Sequence, residues 1–340
     1  MKRPTIADIA RRAGVTKAAV SFALNGQPGV SAVTRERILA IAQEIGFQPN
    51  SAARALSDGR AGAFGLVIDR PPNMLGVEPW FMKFIVGIQA ELSRGHAALL
   101  FSTAEDQAAE IAMYRSWWAQ RRVDGVFLVD LQISDQRVLA LEELRMPAVV
   151  IGTPLGAGSL TAVWEDDAAA TASAVEYLAG IGHRRIARVT GIPKLWHTKI
   201  RTDALGAAAR AEGIESICVE ADYTRERGAE ATRTLLRARR PPTAIIYDND
   251  IMAISGLSAA QRMGVDVPSE LSIVAWDDSP LCELVHPPLT ALSRDIAAYG
   301  VHAARTLARV VSGETVGHFQ EESPVLTLRG STASPPLAAA

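Results

Sequence analysis

Apolar positions in the first 50 residues recur at the three- and four-residue spacing of helices that share a small core. Ile6, Ile9, Ala10 and Ala13 form one face, and Thr5 stands ahead of it as a cap. Asp8, three residues on, is placed to reach back in a capping box. Gly14 suits the left-handed turn that ends a helix. Thr16 then opens a second helix. Its inward residues are Val20, Ala23 and Leu24, which leaves Lys17, Ala18, Ser21 and Phe22 outside. A third helix starts near Ser31, carries the stripe Ile38, Ile41, Ala42 and Ile45, and ends at Gly46. Two short helices around a tight turn, closed by a third, read as a helix-turn-helix. In that motif the outward residues at the start of the second helix meet base edges. The plain alternative is a helical hairpin inside a larger core.

After residue 61 the pattern changes to short apolar runs. They are GLVI (65–68), AALLF (97–101), GVFLV (125–129), PAVVIG (147–152), IARVTG (186–191), SICVE (216–220), TAIIYD (243–248) and LSIVAWD (271–277). Helical stretches such as Phe84–Ser93 and Asp167–Ala179 lie between most of them. Apolar strands alternating with helices predict parallel sheets covered on both faces. Eight such strands fit two doubly wound lobes. In such lobes ligands bind beyond the carboxyl ends of the strands. The positions that follow the runs are therefore of interest: Asp69, Asp130, Gly152–Thr153, Pro193–Arg201, Asp222–Tyr223, Asp248–Asp250 and Asp277–Asp278.

Charge sharpens the division. Residues 1–60 hold nine Lys/Arg against four Asp/Glu, and the remainder holds 26 against 33. A basic head on an acidic body suits phosphate binding by the head. No apolar run approaches the roughly 18 residues of a membrane span, and the amino terminus lacks the apolar core of a signal peptide. A cytoplasmic chain with no membrane association is expected. Cys218 and Cys282 have no CxxC or His partner nearby and are expected to be buried thiols, not metal ligands or a disulfide. No metal or cofactor is expected.

With both halves read, the chain resembles the lactose/galactose repressor family of bacterial regulators. The resemblance spans residues 3 to about 332 and rests on specific motifs. TIADIARRAGVTKAAVSFALNG and GVSAVTRERILAIAQEIGFQPNSAARAL match the family's DNA-binding region. GHRRIA (182–187), PTAIIYDNDIMAISGL (242–257), GVDVPSELSIVAWDD (264–278) and PPLTAL (287–292) follow in the family's order.

The resemblance implies a fold: an all-α helix-turn-helix head and two α/β lobes, doubly wound parallel sheets of the periplasmic-binding-protein type. The implied divisions are a head at 1–49, a hinge helix or linker at 50–60, and an effector-binding and dimerisation domain at 61–331. Within that domain an N-lobe takes about 61–162 plus 292–321, and a C-lobe about 163–291 plus 322–331. Crossings fall near 162, 291 and 321, and a Pro/Ala-rich tail at 332–340 is expected to be disordered. The tail lacks leucine heptads, which points to a homodimer over a tetramer.

The resemblance also implies a function, a ligand-responsive repressor that binds a palindromic operator in double-stranded DNA. It places Lys17, Ala18 and Phe22 at base-reading positions, with Thr16 and Ser21 nearer phosphates and with Thr5 and Asn25 as further DNA contacts. Family members often carry a polar residue where Phe22 stands. The segment NSAARALS (50–57) is about two turns long, and isolated helices below roughly 12–15 residues are marginal in water. In the family it folds on the operator and inserts a leucine into the minor groove. Leu56 matches that wedge, and Ala53 in the same segment is expected as a further DNA contact.

For the lobes, the resemblance implies a small sugar-like effector. Arg201 matches the arginine whose donor fork suits vicinal hydroxyls or a carboxylate. Asp277 matches the acidic acceptor, Asn249 the amide of an Asn-Asp pair, and Tyr223 an aromatic that stacks on a sugar face. Asp69, Trp80, His197 and Trp276 complete the expected lining. Gly152 replaces a family aspartate, and RTDAL (201–205) lacks the usual glycine. Each position has a plainer reading. Arg201 or Asp277 could simply form an ion pair, Asp250 and Asp278 could cap a helix or turn, Trp80 and Trp276 could be core, and His197 could be an exposed loop residue.

Two other readings of the lobes stay open here. One keeps the DNA-binding role but takes a purine, sugar phosphate or other metabolite as co-repressor. The other is an enzyme, against which stand the missing GxGxxG after a strand, GxxxxGK[ST], GxSxG and HExxH.

Overall fold

The computed structural model describes residues 4–47, 60–70 and 78–336. The chain divides into two units, Met1–Ala61 and Gly62–Ala340. In the first, α1 (Ile6–Ala13), α2 (Lys17–Leu24) and α3 (Ala32–Glu44) enclose Ile9, Val20 and Ile38, all fully buried, with alanines filling the gaps. The Asp8 carboxylate accepts from the Thr5 amide at 3.0 Å and from its hydroxyl at 2.6 Å. Gly14 takes φ +64°, which turns the chain into α2. Thr16 caps α2 by accepting from the Ala19 amide at 3.2 Å, and Ser31 caps α3 through the Thr34 amide at 3.3 Å.

The second unit contains two lobes. The N-lobe sheet consists of β1 (Ala63–Ile68), β2 (Ala98–Thr103), β3 (Gly125–Leu128), β4 (Ala148–Gly152), β5 (Thr161–Trp164) and β11 (Phe319–Gln320). Its order is β11-β5-β4-β3-β1-β2, with every pair parallel. The C-lobe sheet consists of β6 (Arg185–Thr190), β7 (Glu215–Glu220), β8 (Ala244–Tyr247), β9 (Ser272–Trp276), β10 (Thr290–Ser293) and β12 (Val325–Thr327). Its order is β12-β10-β9-β8-β6-β7, parallel except for the last pairing of β10 with β12.

The eight apolar runs all form strands. The pattern did not announce β5 and β10, which are only four residues each and end in Trp164 and Ser293. Because those strands finish before the chain crosses, the first two crossings fall downstream of 162 and 291. The third lies between β11 and β12.

Helices cover both faces of each sheet, giving two apolar layers per lobe. They are α4 (Pro79–Arg94), α5 (Gln107–Ala119), α6 (Gln136–Leu144) and α12 (Ile296–Val311) on the N-lobe. On the C-lobe they are α7 (Asp167–Gly180), α8 (Trp196–Ala211), α9 (Arg225–Leu236) and α10 (Asp250–Arg262), with the short α11 (Leu281–Leu284). The helices α4 and α12 meet at glycines. A Cβ on Gly87 would sit 2.0 Å from the Ala297 carbonyl oxygen, and one on Gly300 would sit 2.4 Å from that of Phe84.

Two expectations need correcting. Residues 332–336 are held against the C-lobe. The Thr332 hydroxyl meets Tyr177 at 3.0 Å, and Ala333 bonds His183 and Ser272 at 3.1 Å each. Cys282 is buried, but Cys218, on the edge strand β7, is exposed.

Candidate functional site

The start of α2 presents a small polar and apolar surface. Thr16, Lys17 and Ala18 are exposed, Ser21 is half-buried, and Phe22 is 40% exposed. The Phe22 ring lies against Gly29, where a Cβ would come within 3.3 Å. Asn25 is exposed at the C-cap of α2. Arg12 pairs with Glu44 at 2.9 Å and Arg35 bonds the Gln27 carbonyl at 2.5 Å, so both brace the head. Ala53 and Leu56 lie outside the described residues.

The second candidate site is a chamber between the lobes, at the carboxyl ends of both sheets. The N-lobe contributes Arg70 after β1, Asp130 after β3, Gly152 at the end of β4, and Trp80 from α4. The C-lobe contributes Asp167, His197 and Arg201 from α7 and α8, with Tyr223, Asp248 and Asp277 after β7, β8 and β9. Glu165 and Arg294, beside two crossings, close the wall.

The chain bends unusually to present some of these groups. Asp130, Tyr223 and Asp277 all adopt left-handed backbone, at φ +52°, +71° and +64°. Such strain costs of order 1–3 kcal/mol per residue and gathers at ligand sites. Gly191 makes room for the Tyr223 ring, which a Cβ there would meet at 1.9 Å.

Ion pairs fill most of the chamber. Arg70 Nε donates to Asp130 at 2.8 Å, and its guanidinium packs over the Tyr223 ring at 4.5 Å. Arg201 Nε donates to Asp167 at 2.9 Å. Arg294 donates to Asp277 at 3.0 Å and also to Glu165. Behind Asp248 lies Arg188, bonded twice at 2.7 Å, with both residues fully buried.

These surroundings set the protonation states. Burial pushes the carboxyls of Glu78 and Glu165 up to about 7. Burial also raises Asp130, but Arg70's charge and hydrogen bond outweigh it and hold that carboxyl below its usual range. His197 is driven down to about 4 by burial, reinforced by Arg201, so its ring is neutral at pH 7. Its Nε2 sits 2.6 Å from the Tyr223 hydroxyl.

Of the expected effector contacts, Trp80, His197, Arg201, Tyr223 and Asp277 line this one chamber. His197 is in the first turn of α8, not in a loop. Three expected contacts fall elsewhere. Asn249 caps α10, accepting from the Met252 amide at 2.8 Å and donating to the Tyr223 carbonyl at 3.1 Å, which occupies both ends of its amide. Trp276 is fully buried beneath Arg201, 3.6 Å from ring centroid to guanidinium carbon. Asp69 is not in the lining and faces Lys194 at 4.0 Å; its neighbour Arg70 takes that place. Asp278 is structural, held by Arg329 and Ser293 at 2.7 Å each. Sequence reasoning missed Arg70, Glu78, Glu165 and Arg294 as lining. For Arg70 there was no usable signal, since β1 is buried on both faces and does not alternate. Glu165 and Arg294 follow strands too short to recognise.

Residues 5–50 match the family model described as bacterial regulatory proteins, lacI family, and residues 175–332 match a periplasmic binding protein-like domain. The chain is 32% identical to the HTH-type transcriptional regulator MalR of Streptomyces coelicolor, over 97% of each chain. It belongs to the lacI family of bacterial regulatory proteins. Among solved structures it is similar to a LacI family transcriptional regulator from Bifidobacterium animalis, with 36% identity, TM-score 0.76, and coverage of 81% of this chain and 99% of that one. It is also similar to a transcriptional regulator CelR solved as a complex with cellobiose, with 28% identity, TM-score 0.74, and coverage of 97% and 100%. A lacI-family chain is a DNA-binding transcriptional regulator and not an enzyme, which removes the enzymatic reading of the lobes.

Proposed function

We propose that this protein is a cytoplasmic repressor that binds a palindromic operator as a homodimer and responds to a sugar-like effector held between its lobes. The observation that carries the effector reading is the chamber. Left-handed Asp130, Tyr223 and Asp277 bring two carboxylates and an aromatic ring into the lining of one chamber, together with the Arg201 guanidinium. Hydroxyl acceptors, a guanidinium and aromatic faces are what a sugar needs. The cellobiose bound by CelR supports the same class.

The chamber holds only about 80 Å³, well below the roughly 300–1,000 Å³ of a small-molecule site. Trp196 N–H donates to the Leu131 carbonyl and Ile133 N–H to the Lys194 carbonyl, each at 2.9 Å, and these bonds tie the lobes together. An effector that needs more room favours a wider arrangement, and it shifts the balance only by its differential affinity for the two. Operator DNA then alters effector affinity by the same factor. In this reading residues 1–49 read DNA, and 50–60 form the hinge that couples it to the lobes.

The second copy of the chain has a place to sit. A groove of about 910 Å³ runs along α9, α10 and α11, lined by Ile254, Ala259, Leu281, Leu284 and Val285. Leu284 is 79% exposed there, and Met82 and Val86 of α4 are exposed on the N-lobe. Two copies related by a two-fold axis present two equal heads, hence a palindromic site.

The test combines two titrations on the full chain. Thermal shift against glucose, maltose, cellobiose, sugar phosphates and purines identifies binders by mass action, and gel shift on genomic operator fragments reads DNA. An effector that binds but leaves operator affinity unchanged overturns the switch. Arg201→Ala is expected to keep operator binding and lose the response. Leu56→Ala is expected to weaken operator binding while leaving effector binding intact.

A further inference from the structure

Among the described residues, three polar atoms of the chamber lining make no hydrogen bond and are shut off from solvent: Arg70 Nη1, Glu78 Oε2 and Trp80 Nε1. All three residues line the chamber. Leaving a buried donor or acceptor unpaired costs about 1–3 kcal/mol, so three in one wall demand a common cause.

Arg70 and Trp80 are fixed by contacts other than their free atoms. Arg70 is 4% exposed, and its Nε is spent on Asp130 while its plane rests on Tyr223. Trp80 stacks on Phe84 at 5.0 Å and meets Phe81 edge-on at 5.1 Å. Glu78 stands at the N-cap of α4 but makes no capping bond, and Pro79 after it offers no N–H. Among the described residues the Glu78 Oε2 is therefore left without a structural partner. Two donors and one acceptor are left unpaired in one wall of the chamber.

The surrounding charge narrows what fits. The guanidinium groups of Arg70, Arg201 and Arg294 are each already held by a carboxylate. None is free to neutralise an added anion, and Glu78 is a further acid without an ion-pair partner among the described residues. A hydroxyl group, by contrast, both accepts and donates.

On the effector reading above, we propose that Arg70, Glu78 and Trp80 form a hydroxyl-recognition subsite on the N-lobe wall, selecting an uncharged polyol and rejecting its phosphorylated or carboxylated counterparts. One ligand hydroxyl accepts from Arg70 Nη1 and donates to Glu78 Oε2. Its neighbour accepts from Trp80 Nε1–H. The charged groups that face Glu78 are Arg70, Asp130, Asp277 and Asp250. Burial holds its carboxyl near 7, so a ligand that donates to the carboxylate binds more tightly at pH 8 than at pH 6.

The experiment is isothermal calorimetry on the full chain with glucose, maltose, cellobiose, glucose 6-phosphate and gluconate. Three variants each remove one free atom with little else. Trp80→Phe keeps the stacked ring, Arg70→Lys keeps a cation beside Asp130, and Glu78→Leu removes the acceptor. Melting curves without sugar confirm that each is folded. Each variant is expected to lower the affinity for the neutral sugars that the wild type binds by about tenfold, which corresponds to 1.4 kcal/mol. Glu78→Gln is expected to abolish the rise in affinity with pH. Unchanged affinity in all three folded variants overturns the subsite. So does a wild type that binds glucose 6-phosphate or gluconate more tightly than the neutral sugars, or one that binds none of the neutral sugars. Failure of the effector reading looks different: the variants weaken sugar binding as expected, yet sugar leaves operator affinity unmoved.

Discussion

The guanidinium of Arg201 lies over the indole of Trp276, with its central carbon 3.6 Å from the ring centroid, while its Nε donates to Asp167 at 2.9 Å. The tryptophan contributes to the site from beneath, without touching its open space. It supplies a flat floor that keeps the arginine's fork in one plane.

Replacing Arg201 by Lys tests that floor. A lysine keeps the charge beside Asp167 but loses the planar stack and the paired donors. Stacking of this kind is worth about 0.5–2 kcal/mol. Effector affinity is expected to fall about tenfold in calorimetry, with operator affinity in the absence of effector unchanged. Equal affinity in the variant would remove Arg201 from the binding surface.

Glu165 makes stability depend on pH. Burial raises its carboxyl to about 7, with Asp167 adding to the rise and Arg294 opposing it. A carboxyl raised in the folded state gives stability that is full below its unfolded pKa and is lost as pH rises through the folded value. Glu165→Gln has no such loss. Its stability relative to the wild type is therefore expected to increase between pH 5 and pH 8, measured by urea denaturation at both values. A difference independent of pH would show that Glu165 ionises normally.

The contact between α4 and α12 is backbone against backbone. Gly300→Ala puts a methyl 2.4 Å from the Phe84 carbonyl oxygen, which no rotamer relieves. Overpacking of this kind costs about 1–3 kcal/mol, outweighing the gain in helix propensity from losing a glycine. A lower melting temperature is expected for the lobes. An unchanged or higher one would mean that the two helices part without penalty.

Much of this architecture was legible because burial writes itself into sequence. Parallel strands covered on both faces must be apolar throughout, and all eight such runs became strands. The head was legible from Thr5, Gly14, Thr16 and Ser31, whose chemistry marks where helices start and stop. What stayed hidden was orientation. Asn249 and Asp277 both follow strands in matching motifs, yet one is consumed by capping α10 and the other turns inward through a left-handed backbone. Local sequence does not say which. Likewise Arg70 and Asp69 are neighbours, and only the strand's phase decides which lines the chamber. Glu165 and Arg294 come together across 129 positions, a pairing that the fold makes and no spacing foretells.

Phe22 offers a clean separation of reading from folding. Phe22 is 40% exposed at the outer face of α2 with its ring against Gly29, while the head's core is built on Ile9, Val20 and Ile38. Exposed substitutions of this sort shift stability by about 0.5 kcal/mol or less, so Phe22→Ala is expected to leave the head's melting unchanged. An aromatic ring has no donor or acceptor for a base edge, but it packs well against a thymine methyl in the major groove. Operator affinity is therefore expected to fall, with the loss concentrated at one symmetry-related pair of A·T positions. Gel shifts with operators substituted at each base pair would locate it. Because the ring is neutral, the slope of affinity against salt concentration is expected to stay as in the wild type, whereas Lys17→Ala reduces that slope by about one if Lys17 contacts phosphate. A Phe22→Ala protein that loses affinity equally for operator and random duplex would place the ring away from the bases.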